Sequence, residues 1–590
     1  MILKKLSKSI KITKLRKKTA FVTIFNFIIL WCVPISFAQA NDFKHGVAVF
    51  GDLKYPKNFL HLDYVNPDAP KGGEVKFGVE GGFNSFNNFI LKGIPASGLS
   101  YIYDSLMESS DDEISSKYAL IAKGAKIAKD GLSMEFKLNE KAYFHDGVNI
   151  SADDVVFSFN QLVNYGHPSY KMSFRDVKNV EKISQYHVKF NFKNNNNRNL
   201  PLIIAGLPIL PKHFYEKNDF SKSSLQVPVG SGPYKIIDFQ INRYIVYQRD
   251  KNHWGRDLPI NRGRYNFDKI TFDYYRDNNV LIEGFKAQKY DFRQENIARN
   301  WANSYNIDAV KNGQIIKKEL PNLNPSPTQV FILNLRRQKF QDINLRKALT
   351  LVFDFEWLKE HIFYGSYERS RSFFTNSNFS YQNFSLPIAS SDGFNRKNLI
   401  IAQDLLKKAG YKIVDNQLVD PNNNKIEIEF LIDSKSFEMV IAPFIKNLAK
   451  IGIKAKMRFV EENQYQMRIN NFDYDIVVGV IPQAIVPGSE LYAYFHSSQK
   501  NIKGAANLMG LDDKFVDEII EKIIKTRDKK QLEFLCQSLD KYLLTNYFTI
   551  LQWYNNKHRI LYRDIFEFPQ NLPKYSLAIE SWWIKNNLNN

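Results

Sequence analysis

The sequence predicts a mixed α/β fold in which strands and helices interleave along the chain. Strand-period stretches recur between Glu74 and Phe459, and amphipathic helical stretches stand between them and after them. No structureless linker of about 20 residues separates independent modules. With 590 residues and 44% apolar side chains, the chain can form several packing units around sizeable cores. Aromatic residues reach 14%, a supply that fills cores or lines a cleft for varied apolar groups.

The elements follow in chain order. Lys4 to Lys18 carries eight basic side chains and no acid, and Ala20 to Val33 is almost wholly apolar. Pro34 then leads to Ala38-Gln39-Ala40. This is the pattern of a secretory signal peptide cut after Ala40. Its apolar run of 14 residues is shorter than the ~20 that span a bilayer. Asp63 to Gly73 is rich in turn residues and opens onto the alternating strand Glu74 to Val79. Residues 118–145 read as strand, Asp130-Gly131 turn, strand. Ser151 caps a helix whose first turn holds Asp153 and Asp154, and whose apolar face is Val155, Val156, Phe159 and Leu162. Asn194 to Asn197 reads as an exposed loop, and Gly230-Ser231-Gly232-Pro233 as a tight turn. Leu399 to Lys408 is a helix stopped at Gly410, and Lys425 to Ile432 a strand with Ile426, Ile428, Phe430 and Ile432 inward. A further helix ends at Lys450-Ile451-Gly452, and Ile453 to Phe459 is a strand. Phe515 to Ile523 and Leu532 to Leu543 mark two late helices.

Several chemistries find no support. The ten histidines are dispersed, none at the i,i+4 spacing of a helical metal site, and no H-E-x-x-H occurs. There is no G-x-S-x-G elbow and no Walker A loop, so no catalytic, metal or cofactor residue is assigned and the chain is read as a non-enzyme. Past Ala40 the single cysteine, Cys536, excludes an intramolecular disulfide, and it falls on the apolar stripe of its helix. Removing the leader's charge from the total of +20 leaves +12, interspersed with acids and without a basic tract, so nucleic acid is not an expected partner.

Five segments in order resemble the family 5 extracytoplasmic solute-binding proteins of ABC importers. They are Phe144-His145-Asp146-Gly147 with Ser151 to Ser158, Val229 to Lys235, Asp342 to Leu349 with Asp354, Leu405 to Tyr411, and Leu448 to Lys454. His45 to Gly51, Asp63 to Gly73 and Asn471 to Val478 look like the Yej-type branch, associated with oligopeptide and microcin C uptake. The resemblance implies a two-lobed periplasmic-binding-protein fold (type II) with an extra subdomain in the first lobe. It places a signal peptide at 1–40, first-lobe segments at 41–85 and 201–318, the inserted subdomain at 86–200, the second lobe at 319–548 and a first-lobe return at 549–590. Crossovers are expected near Lys317–Asn334 and Phe548–Tyr554. The implied function is capture of oligopeptides or peptide-like compounds between lobes that close on them, in the periplasm, as a monomer. Delivery would be to an inner-membrane permease with its ATPase subunits. Haem, sugar or a metal complex is the alternative ligand, and a secreted hydrolase a more distant alternative. Candidate ligand contacts are Asn84, Phe86, Arg371, Gln483, Trp553 and Tyr554. The strand Val477 to Gln483, ending in Pro482, is the candidate edge for strand addition. No acid follows it before Glu490 to hold a ligand's amino terminus.

Overall fold

Alternating apolar residues become strands where partners lie within reach, and here the partners build two large sheets. The structure, a computed structural model, describes residues 43–50, 53–388 and 395–585. The leader, its cleavage site at Ala40 and Gly51 lie outside the described residues.

The first lobe carries a seven-stranded sheet, in the order Ile315–Pro321, Lys557–Arg563, Phe292–Gln294, Glu74–Glu80, Lys269–Tyr275, Tyr244–Arg249 and Tyr234–Gln240. Beside it stands the extra subdomain. Its antiparallel sheet of Ala122–Ile127, Ser133–Leu138, His187–Phe192 and Val177–Ser184 is packed by the helix Ala152–Tyr165. That helix buries Val155, Phe159 and Leu162 as its spacing predicts. Asp154 does more than favour the helix dipole. It accepts from the Ser151 amide at 2.9 Å and from the Lys212 amide at 3.1 Å, tying the cap to a distant segment.

The second lobe has a five-stranded sheet, ordered Lys454–Phe459, Glu427–Ile432, Ile476–Ile481, Thr328–Leu333 and Thr549–Leu551. Its core collects much of the aromatic content: Phe331 packs on Phe353, Phe430 and Phe444 with ring centroids 5.6–5.7 Å apart. Ile476–Ile481, which holds most of the candidate edge strand Val477 to Gln483, is interior only at its start. Thr328–Leu333 pairs along its whole length on one side, while Glu427–Ile432 pairs only at Ile476 and Val477 on the other. Pro482 lies just past the strand end, where its missing amide costs no ladder bond.

The chain passes between the lobes twice, between Pro321 and Thr328 and between Leu551 and Lys557. The two passages run side by side: Pro321 is registered with Lys557 in the first sheet and Val330 with Leu551 in the second. The Asn322 amide donates to the Asn556 carbonyl at 2.9 Å between them.

The Gly230-Ser231-Gly232 turn has a packing reason. The Ser231 and Gly232 amides both donate to the Ile102 carbonyl, at 3.0 and 2.7 Å. A Cβ at Gly230 would collide with that same oxygen, and one at Gly232 with the Tyr101 carbonyl. Backbone cannot retreat there cheaply, so Gly230→Ala should lower first-lobe stability by about 1–3 kcal/mol in urea unfolding.

Candidate functional site

A cleft of about 610 Å³ opens between the lobes. Phe50, Lys574 and Tyr575 reach it from first-lobe segments, and Tyr575 is tied there by its amide, which donates to the Asp111 carbonyl at 3.1 Å. Pro325 and Tyr554 reach it from the two passages, and the second lobe supplies Arg369, Arg371 and much of the wall between Ser372 and Gln382.

That wall has no regular secondary structure, so its shape depends on side-chain anchors. Asp540, on the helix Lys529–Thr545, is 0% exposed and accepts from three donors of the loop: Ser372 Oγ at 2.6 Å, the Phe373 amide at 2.8 Å and the Tyr381 amide at 2.8 Å. Gln537, one turn earlier, donates to the Asn378 carbonyl at 2.9 Å. From the other side, Asn376 Nδ2 donates to the Asn322 and Asn324 carbonyls of the first passage, each at 3.1 Å. Asn376 has φ of 61°, a left-handed conformation that asparagine tolerates. The loop is thus fixed to a helix of its own lobe and to the passage between lobes.

Two arginines line the cleft beside Lys529, Lys574, Glu368 and Glu533. Arg369 is 6% exposed, and its Nη1 donates to the Pro387 carbonyl at 2.9 Å, while Nε and Nη2 have no hydrogen-bond partner. Burial pulls its pKa down to about 10, against the opposing charges of Glu356 and Asp354, and Arg371 adds a smaller push in the direction of burial. Arg371 lines the cleft, exposed, two residues on. Glu368, between these and the passage, is occupied by Lys359 at 2.9 Å. Next to Arg369, the buried Ser370 Oγ has no partner, and neither do Gln552 Nε2 and Gln483 Oε1 nearby. Gln552 is tied to Gln329 by a 2.6 Å bond at its oxygen, and the Ser370 amide donates to the Gln552 carbonyl at 3.0 Å. Unpartnered buried polar atoms of this kind are rare, and of these residues Arg369 lines the cleft. Among the described residues, no group of three His, Cys, Asp or Glu side chains is placed to hold a metal ion, and no helix is long and apolar enough to cross a membrane.

Of the six residues singled out in the sequence, Arg371 and Tyr554 line this cleft. Gln483 stands behind the loop, its Nε2 donating to the Phe373 carbonyl at 2.7 Å. Trp553 packs on Phe363 and Tyr367, with centroids 4.5 and 6.3 Å away. Asn84 and Phe86 are elsewhere. Asn84 Oδ1 accepts from the Ile94 amide at 2.6 Å within its own loop. Phe86 is 2% exposed and packs against Phe239, because the glycines before it turn the chain back into the first-lobe core. Glu490 is turned away as well. It accepts from the Gly488 amide at 2.8 Å, and burial raises its pKa. Sequence reasoning missed Arg369 and Asp540. Asp540 left a signal, since it is an acid on the apolar stripe of Leu532, Leu535, Cys536, Leu539 and Leu543. Arg369 left none beyond its neighbour Arg371.

Two sheet-bearing lobes, joined by paired passages and enclosing a polar cleft, are the two-lobed α/β fold of the periplasmic binding proteins. The sequence profile of the bacterial extracellular solute-binding proteins, family 5, matches residues 117–502, and the chain belongs to that family. It is 34% identical to the probable peptide-binding protein YejA of Agrobacterium fabrum, over 93% of this chain and 95% of the other. It is 30% identical to the peptidoglycan-binding protein YepA of the same organism, over 91% and 94%. In fold it is similar to the oligopeptide-binding protein AppA of Bacillus subtilis, solved with a nonapeptide, with a TM-score of 0.64, 21% identity, and coverage of 88% of this chain and 100% of that one.

Asp540 gives the site a pH signature. Burial raises its pKa from 3.8 to about 6, so around pH 5 the folded protein holds a proton that the unfolded chain lacks. This group therefore adds stability as pH falls through about 6, fully present below about 4. Against Asp540→Asn, which lacks the titration, the wild type should gain on the order of 3 kcal/mol between pH 7 and pH 4, read from paired urea unfolding curves.

Proposed function

We propose that this chain is the exported binding component of an ABC importer and that its cleft captures a peptide-like ligand by a carboxylate. The observation that carries this reading is Arg369, a buried guanidinium with two unsatisfied nitrogens at the wall of an open cleft. A carboxylate fits such a fork with two parallel hydrogen bonds, and Arg371 adds a second cation for the same charge. The cleft volume lies in the range of small-ligand sites. Beyond Val477 the strand Ile476–Ile481 is paired on one side only, which leaves backbone groups for an extended peptide to join. The relatives named as peptide-binding and peptidoglycan-binding support ligands with peptide bonds and free carboxylates. Glu490 is committed to its own helix start, so the ligand's amino end is read loosely there and a blocked one is accepted. The leader of Lys4 to Ala40 would carry the chain out of the cytoplasm, and the mature protein would begin at Asn41.

Mass spectrometry of ligands that co-purify with the exported protein tests the class. A mixed peptide pool is the expected result, peptidoglycan fragments would narrow it, and a single species without peptide bonds would overturn it. Calorimetry with a peptide taken from that pool tests the anchor. Amidating its carboxyl terminus, or Arg369→Met, should weaken binding roughly tenfold or more, whereas acetylating its amino terminus should change affinity by less than about threefold.

A further inference from the structure

The Asn194 to Asn197 run has no part in the capture just described, yet it carries the first lobe onto the second. Arg198, which follows it, is 7% exposed. Its Nη1 donates to the Ile523 carbonyl at 2.9 Å and to the Thr526 carbonyl at 2.7 Å, and its Nη2 donates to the Pro487 carbonyl. Asn199 Nδ2 adds a bond to the Val486 carbonyl at 3.4 Å. In the opposite direction, Arg527 of the second lobe donates from Nη2 to the Asn195 carbonyl at 2.7 Å. These segments belong to neither passage between the lobes, so they form a tie that is wholly non-covalent, as do the Tyr367 hydroxyl, which donates to the Asn296 carbonyl at 2.7 Å, and Arg559, which donates to the Ser366 carbonyl.

The acceptors suit a cation. Ile523 and Thr526 lie at the C-terminal end of the helix Lys514–Lys525, where carbonyls lack helical partners and the dipole is negative. The guanidinium also lies over the Phe50 ring, 5.3 Å from its centroid, and both Phe50 and Val486 line the cleft. Every acceptor is a neutral carbonyl. Burial lowers the pKa of Arg198; Cys536 and Glu490 oppose that effect without an ion pair to it, and the like charge of Arg527 adds to it. On separation the cation and the carbonyls would each recover water, and no attraction between opposite full charges has to be overcome, so the tie is reversible.

We propose that Arg198 and Arg527 are positioning residues for ligand capture, forming a reciprocal clasp that holds the two walls of the cleft together and sets how long a ligand stays. The clasp rests on the reading of the interlobe cleft as the ligand site. Apparent affinity scales with the fraction of protein in the clasped form, so weakening the clasp acts on release without touching a ligand contact.

Small-angle scattering of the ligand-free protein tests this without any ligand. Arg527→Ala, at an exposed position, and Arg198→Ala should each raise the radius of gyration with unchanged circular dichroism, and Arg198→Lys, which keeps one donor, should fall between. If Arg198→Ala does not fold, Arg527→Ala and Arg198→Lys carry the test. With a co-purified peptide as probe, dissociation from Arg527→Ala should be several-fold faster and from Arg198→Ala roughly tenfold faster, with association no slower. Scattering profiles that superimpose on the wild type in all the variants would overturn the clasp. Peptides that fail to bind even the wild type would instead overturn the proposed ligand class, with the scattering result still deciding the clasp.

Discussion

The chain must leave one sheet, enter another and return, and both crossings pass through the same place. In the first sheet Ile315–Pro321 pairs with Lys557–Arg563, and in the second Thr328–Leu333 pairs with Thr549–Leu551. Strand pairing on both sides leaves only residues 322–327 and 552–556 between the two large sheets, and the bond from Asn322 to Asn556 zips them together. The two short crossings, antiparallel to each other, lie along one line between the lobes. The cleft lies where that line meets the loop of Arg369 to Gln382, and Pro325 and Tyr554 belong to both.

The polar chemistry of the cleft follows from the same geometry. A wall without regular structure needs anchors for its backbone, and a lone carboxylate with three donors is an economical one. Asp540 has no cation beside it, so its burial appears as a raised pKa and not as an ion pair. Arg369 shows the reverse arrangement, a buried cation with a single hydrogen bond, on a two-residue strand that the second passage holds in register through Trp553. Both groups bear a desolvation cost, which the three hydrogen bonds to Asp540 offset in part and the single hydrogen bond of Arg369 offsets less.

Local elements were legible because their causes are local. Apolar spacing located the helix at Ser151, the alternation of Ile426, Ile428, Phe430 and Ile432, and the stop at Gly410, whose φ is 88°. Pro482 reports only its own missing amide and could not show that Glu427–Ile432 pairs at Ile476 and Val477. The partners that bury Ile476–Ile481 come from Thr328–Leu333 and Glu427–Ile432, far away in sequence. The glycines before Asn84 and Phe86 suggested a loop facing a ligand, but whether such a loop faces a cleft or a core depends on what packs above it, here Phe239.

By itself, the sequence determined the α/β character, the family and the absence of any recognised catalytic motif, because these rest on periodicity and on ordered motifs read along the chain. The tertiary structure alone decided which of two arginines is buried at the cleft, which acid shapes its wall, and that an asparagine run meets the other lobe. Those facts depend on contacts between segments as far apart as Asn195 and Arg527, or Ser372 and Asp540. No local pattern encodes such contacts, because the energy that selects them arises only when the sheets have paired and water has been excluded between the segments.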